Sequence, residues 1–388
     1  PDGGRALRLR GPSSTGENAY SGTITVNPSF KFEILTSVDA GSPIGTGNLR
    51  MAGGTTTGNA LGTYSLVNVR NNFAGDTTFG NDVEVTGVGS TYFNMLSDNS
   101  VAPVGSVVNF GKLIIGDAQA IAAVATASPA YTLAFSSVEL TGGNATFTPR
   151  PVGNTSFVST QNISLGAISE RTVGSGITMN GAATLTLTGN NTYTGPTFVN
   201  SGILEVTGSI SGSTVDLSGG TLRGSGTTGP VNVNGGTLAP GSGVGSLSTG
   251  AVAFQAGVFA LEIGGSTVGS YDQLKVTGGL AFNAPITLTL DFSTFDPADG
   301  DSFVLVDNDL ADPIVFADET SGLYYDFALL SEGSSFTVTS GAFTQEFTIT
   351  YEGGTNANDI VLTAVPEPSA MVALLGGVAM LAGFRRRR

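Results

Sequence analysis

Seven aspartates fall within one stretch, DFSTFDPADGDSFVLVDNDLADP, at Asp291, Asp296, Asp299, Asp301, Asp307, Asp309 and Asp312. Clustered carboxylate oxygens are the ligands a hard cation such as Ca²⁺ prefers. The run Asp296-Pro-Ala-Asp299-Gly-Asp301 does not keep D-x-D-x-D-G spacing, so it reads as a solvated turn. YEGGTNANDIVL, from Tyr351 to Leu362, has part of a G-G-x-G-x-D pattern, but in a single copy without the third glycine. Such ligands work only in stacked repeats, and the segment reads as a hairpin turn. The chain has no histidine and no cysteine. A His-based triad, a thiol nucleophile and a His- or Cys-ligated zinc are therefore excluded. Threonines alternate at Thr184, Thr186 and Thr188, which fits the outward face of an ordinary strand. No catalytic residue, cofactor or metal ligand is expected.

The charge balance narrows the partners. The formal net charge is −15 over 388 residues. Nucleic-acid binding needs basic surface to release counterions, so nucleic acid is excluded as a partner. Charged residues make up 12% and apolar residues 40%, too apolar for a disordered chain. Position 1 is Pro rather than Met, and a leader upstream of it is expected.

The C-terminal stretch VPEPSAMVALLGGVAMLAGFRRRR is built differently from everything before it. Residues 370–384 are an uncharged apolar run, followed by Arg385, Arg386, Arg387 and Arg388. As a helix, the run spans roughly 22 Å against a hydrocarbon core of about 30 Å. Arginines beside a membrane segment stay on the cytoplasmic side, which puts the rest of the chain outside it. Before the run stand Val365, Pro366, Glu367, Pro368 and Ser369. Two prolines two apart cannot join a sheet or a helix interior, so an extended, exposed link outside any sheet is expected over Val365–Ser369. This tail resembles the PEP-CTERM sorting signal of exported bacterial proteins, in motif, apolar run and basic end alike. The resemblance implies an exosortase in the inner membrane as partner, transient insertion of 370–384, cleavage at the signal, and delivery to the cell surface or extracellular matrix.

The elements ahead of the tail are strands punctuated by glycine, of which there are 57. In TLTLTGNNTYTGPTFVNSGILEV, Leu185 and Leu187 alternate with threonine at period two, and Gly189-Asn190-Asn191 supplies a turn. Gly-Gly-Thr-Leu recurs at Gly219–Leu222 and Gly235–Leu238, and Val215 and Leu217 match Val231 and Val233. Those spacings of 16, with 18 from Leu204 to Leu222, suit one coil of a parallel β-helix. A string of antiparallel hairpins is the competing arrangement. Leu185, Leu187, Gly189, Asn191, Tyr193, Gly195, Thr197, Val199, Gly202 and Leu204 also resemble the autotransporter-associated β-strand repeat of bacterial surface passengers. Pro196 departs from that pattern. Ala118 to Ala130 is alanine-rich and reads as a short helix or an insertion.

The expected fold is all-β: a right-handed parallel β-helix, a β-rich C-terminal cap and a short C-terminal hydrophobic helix. The expected parts are an N-terminal extension (1–14), degenerate coils (15–180), the clean repeats (181–250), a β-rich module (251–364) and the sorting signal (365–388). The expected function is a non-enzymatic structural or adhesive surface protein, with extracellular polysaccharide as candidate ligand. The alternative is a β-helix polysaccharide lyase or hydrolase.

Overall fold

The structure is a computed structural model. It describes residues 6–10, 20–28, 31–36, 44–53, 65–71, 75–96, 105–125, 130–149, 161–309, 312–340 and 343–365. Among these the chain is all-β, with strands and turns and no helix. It divides into two compact units, Pro1–Gly236 and Thr237–Arg388.

In the first unit the described strand pairings are parallel, and they form two ladders. One ladder runs Ala6–Arg10, Lys31–Thr36, Ser65–Asn71, Gly89–Leu96, Gln119–Ala125, Asn144–Pro149 and then Gly176–Leu187. The other runs Ile24–Val26, Leu49–Ala52, Val83–Thr86, Ser106–Ile115, Tyr131–Leu140 and Gln161–Glu170, and it too reaches Gly176–Leu187. Gly176–Leu187 and the next strand, Thr197–Val206, are long enough to serve both ladders. Thr197–Val206 then pairs with Val215–Leu217 on one side and Thr221–Gly224 on the other. The step between register partners varies between 22 and 35 residues as far as Gly176–Leu187, with 32 from Ala145 to Ile177, and is shorter after it. Ala120 pairs with Thr146, Ile177 with Thr197, Thr197 with Val215, and Val215 with Val231. The steps are thus 26, 20, 18 and 16 residues. The spacings read from Val215/Val231, Leu217/Val233 and Leu204/Leu222 are true register pairs.

Period-two alternation buries every second side chain, and parallel register stacks like upon like. Ile163, Leu185, Leu204 and Leu222 form one such column, and Met179, Val199, Leu217 and Val233 another. All eight side chains are buried. Where the steps are longer, aromatics fill the core: Phe110 lies 5.0 Å from Phe79, 5.3 Å from Phe93 and 6.0 Å from Phe135, centroid to centroid.

Two expectations change in this unit. The alanine-rich patch is neither helix nor insertion over its described part. Gln119–Ala125 is a strand paired on both sides, and Ala122, Ala123 and Ala125 are buried. Small side chains fit here because Phe93 and Phe147 on the flanking strands take up the core volume. Ala6–Arg10, inside the expected N-terminal extension, pairs in register with Lys31–Leu35.

The second unit begins with parallel pairing and ends antiparallel. Ser246–Thr249, Gln273–Val276 and Ser302–Asn308 pair in parallel, as do Val252–Glu262 and Pro285–Asp291. Asp359–Val365 then lies antiparallel to Ser302–Asn308 and to Phe343–Gly353, which pairs antiparallel with Ser335–Ser340. Residues 354–358 make the hairpin connection expected for YEGGTNANDIVL. Phe292 stacks on Phe347 at 5.2 Å, and Phe303 meets Phe292 edge-on at 5.9 Å, forming the core beneath this meander.

Val365 is a correction. It is the last residue of Asp359–Val365, opposite Glu346, rather than the first residue of a link outside the sheet. The ladder reaches the residue before the proline because Val365 still has an amide and Pro366 does not. The expected hydrophobic helix over 370–384, and Pro366, Glu367, Pro368, Ser369 and Arg385–Arg388, lie outside the described residues. No helix among the described residues is long and apolar enough to cross a membrane.

Candidate functional site

The polar residues of the 177–206 window are committed to structure. Asn191 is buried at the turn after Gly176–Leu187. Its Oδ1 accepts from the Ile168 amide at 2.8 Å, and its Nδ2 donates to the carbonyls of Gly189 at 2.8 Å and Ser209 at 2.9 Å. One side chain thus joins three successive passes of the chain. Tyr193 is fully buried, with its hydroxyl 2.7 Å from Thr197 Oγ1. Thr197 Oγ1 lies 2.7 Å from Ser213 Oγ, which donates to the Gly195 carbonyl at 2.7 Å. Burial pushes the Tyr193 phenol well above its ordinary pKa, so it keeps its proton at neutral pH. Gly202 has φ +72°, and a Cβ there would come within 2.4 Å of the Gly181 carbonyl oxygen. Asn191, Tyr193, Thr197 and Gly202 are among the residues that resemble the autotransporter-associated repeat, Ser213 is not, and the structure brings them together as braces between passes.

The seven aspartates of the acidic stretch do not converge. Asp291 Oδ1 accepts from the Ser293 amide and Asp301 Oδ2 from the Ala298 amide, closing their own turns. Among the described residues there is no group of three or more acidic side chains placed to hold a metal ion. Basic side chains are tied to acids across neighbouring passes. Arg50 pairs with Glu84 at 2.8 Å, Arg223 with Glu205 at 3.2 Å, and Glu139 with both Lys112 and Arg171. The Lys112 hydrogen bond, with the nearby Arg171, holds Glu139 below the usual carboxylate range against a smaller desolvation effect.

Two features of the second unit escaped the sequence reading. The first is Asp272, which is buried. Its Oδ1 accepts from the Gly245 amide and its Oδ2 from the Glu262 amide, both at 2.8 Å. Desolvation pushes its carboxyl up to about 7, the two amide bonds pull the other way, and the Glu262 charge adds to the rise. The signal lay in GSYDQLKVTGGL, whose one acid precedes a strand. The second is a cleft of about 470 Å³, floored by Ile314, Phe316, Leu329 and Tyr351, with Asp318, Glu319, Glu332 and Glu352 in its walls. Phe316 stacks on Phe282 at 5.5 Å, and Tyr351 stands perpendicular to Phe316 at 5.2 Å. Its residues come from three separate segments, and nothing in their spacing signals the assembly.

Residues 177–206 match the family model of the passenger-associated-transport-repeat. Those are the residues on which Asn191, Tyr193, Thr197 and the stacked leucines sit. Over 73 residues the chain is 45% identical to an extracellular serine protease of Serratia marcescens, covering 19% of this chain and 7% of that protein. Among solved structures, the Hap adhesin of Haemophilus influenzae aligns over 89% of this chain and 48% of its own, at 12% identity and a TM-score of 0.31. The chain therefore spans less than half the length of each of these proteins.

Proposed function

We propose that this chain is an exported bacterial surface protein with a structural or adhesive role, built on a right-handed parallel β-helix. Two parallel ladders advancing together, with steps of 16 to 20 residues from Ile177 through Thr197 and Val215 to Val231, are what a helical winding of strands produces. Right-handed crossover is the hand that twisted parallel strands favour. The single observation that carries the functional reading is the repeat at 177–206, which matches a model for transported passengers and spends its polar residues on bracing. The antiparallel meander ending at Val365 supports its role as a cap, since it covers backbone edges that would otherwise recruit other chains.

The tail supports a sorting step. Residues 365–388 combine the Pro-Glu-Pro motif, the apolar run and Arg385–Arg388, which fits recognition by an exosortase, transient insertion of 370–384 and release to the surface or matrix. Extracellular polysaccharide is the candidate matrix ligand. Fractionation and intact-mass measurement of the surface form, with and without an exosortase in the host, test this reading. The expected result is a surface form lacking Arg385–Arg388 only where the exosortase is present. A surface form that keeps those arginines in the normal host would show a permanent anchor instead. Pectin, alginate and xylan should not be turned over, with or without Ca²⁺. Product formation abolished by a single carboxylate substitution would replace the structural role by an enzymatic one.

A further inference from the structure

The cleft of the second unit shares no residue with the braces of the 177–206 window. Its floor is apolar and aromatic. Phe316 is 39% exposed, with the edge of Tyr351 against it and Phe282 stacked on it. Its walls are acidic. Asp318 accepts from the Thr320 amide and from the hydroxyls of Thr320 and Ser321, and these bonds hold its carboxyl below the ordinary range. Glu332 accepts from Thr350 Oγ1 and the Tyr351 amide, both at 2.6 Å. These two acids are positioned by the protein. Glu319 and Glu352 stand exposed at the rim, and no hydrogen bond or ion pair engages either carboxylate among the described residues.

No lysine or arginine lines the cleft. Between Thr237 and Val365 the sequence holds a single basic residue, Lys275, whose register partner is Asp307. The surrounding field is therefore negative as well as the walls. Beside the cleft, the hairpin of Gly322–Tyr325 and Ala328–Leu329 turns at Asp326 and Phe327, with φ of 47° and 64°. Two consecutive non-glycine residues in the left-handed region are unusual, and an aromatic one is costly there. Phe327 is 97% exposed, and Leu329 of the same hairpin lines the cleft. A strained turn that presents a phenylalanine to solvent, next to an open aromatic floor, has the features of a contact surface.

We propose that this cleft and the Phe327 hairpin dock a basic polypeptide, which places an arginine or lysine side chain over Phe316 between the acidic walls. The aliphatic stem matches the apolar floor, and the guanidinium or ammonium meets the carboxylates and the ring face. A polypeptide fits better than a free amine for two reasons. Four wall acids need more than one cation to balance them, and Phe327 offers apolar contact outside the cleft. The inference is independent of the export reading, because the surface has this chemistry wherever the chain resides.

The test is fluorescence polarisation of the full chain with a labelled nine-residue peptide that alternates arginine and leucine, at 0.15 M salt. The same peptide with glutamate for arginine, and spermidine as competitor, are the controls. Binding should weaken about fivefold in the double variant Glu319→Gln/Glu352→Gln, as expected for two rim ion pairs. It should weaken by a similar factor in Phe327→Gly, a change that also relieves the turn, and circular dichroism of both variants should match the parent. Equal affinity of the parent and the double variant would overturn the proposal. So would equal binding of the glutamate peptide, or full displacement by spermidine at matched charge, which would make the cleft a free-amine site.

Discussion

Asn191 satisfies a buried amide: its Oδ1 is the acceptor for Ile168, while the two carbonyls it serves also have backbone donors. Asn191→Ala should therefore cost about 1–3 kcal/mol, the price of one stranded buried donor. Urea unfolding would measure it, and an unchanged midpoint would show that water or a shifted backbone replaces the side chain. Tyr193→Phe is milder, because Thr197 keeps Ser213 as a partner after the phenol oxygen is gone. A loss of about 1 kcal/mol is expected. Gly202→Ala should be worse than either deletion of a polar group. It forces a Cβ into the left-handed region and against the backbone carbonyls of Gly181 at 2.4 Å and Ala183 at 2.7 Å, which cannot swing away as the Met179 side chain at 2.6 Å can. If its stability equalled the parent's, the rung spacing at this turn would have to be looser than the structure shows.

Strands that differ in legibility differ in where their partners lie. Gly176–Leu187 and Thr197–Val206 were visible in the sequence because each carries its own period-two pattern and because register partners 16 to 20 residues apart repeat residue types. Gln119–Ala125 was not, since alanine has weak strand preference and the burial that selects it comes from Phe93 and Phe147. The cleft was invisible for the same reason: Phe316, Leu329 and Tyr351 meet only through long-range pairing. Asp272 is a third case, legible as a residue but not as a clasp. Because its folded carboxyl titrates near 7, above the unfolded value of about 3.9, the folded state holds the proton more tightly. Its contribution therefore falls as pH rises from about 4 to 7 and is level above that. Asp359, raised by burial despite the Asn308 amide, slopes the same way. Glu139, Glu170 and Asp318 are lowered, so they lose stability only in more acidic solution. Between pH 5 and 8, Asp272→Asn should flatten the decline in urea midpoint. Parallel curves for parent and variant would mean that the carboxyl does not titrate in this window.

At the scale of the whole chain, charge and apolar sequence are segregated. Eleven of the fifteen basic residues precede Val365, and those at positions 50, 112, 171 and 223 are neutralised by acids on neighbouring passes. The remaining four are Arg385–Arg388, adjoining the uncharged run 370–384. An anionic bilayer attracts clustered arginines by about 1 kcal/mol each near its surface, while a body of net negative charge is repelled within a Debye length. If the tail is a membrane-directed signal, as proposed, membrane affinity should reside there alone. The full chain should co-float with vesicles of phosphatidylglycerol and phosphatidylethanolamine at 0.15 M salt. Replacing Arg385–Arg388 by glutamine should reduce that fraction while leaving some binding through the apolar run. Replacing two leucines of the run, Leu374 and Leu375, by glutamate should abolish it, because charged groups at the centre of such a segment each cost several kcal/mol. Both changes lie outside the described strands, and circular dichroism that keeps the parent's β signal would show that the body is intact. Flotation of the Leu374→Glu/Leu375→Glu chain at the parent level would locate the lipid-binding surface in the β-rich body and remove the physical basis for reading the tail as an address.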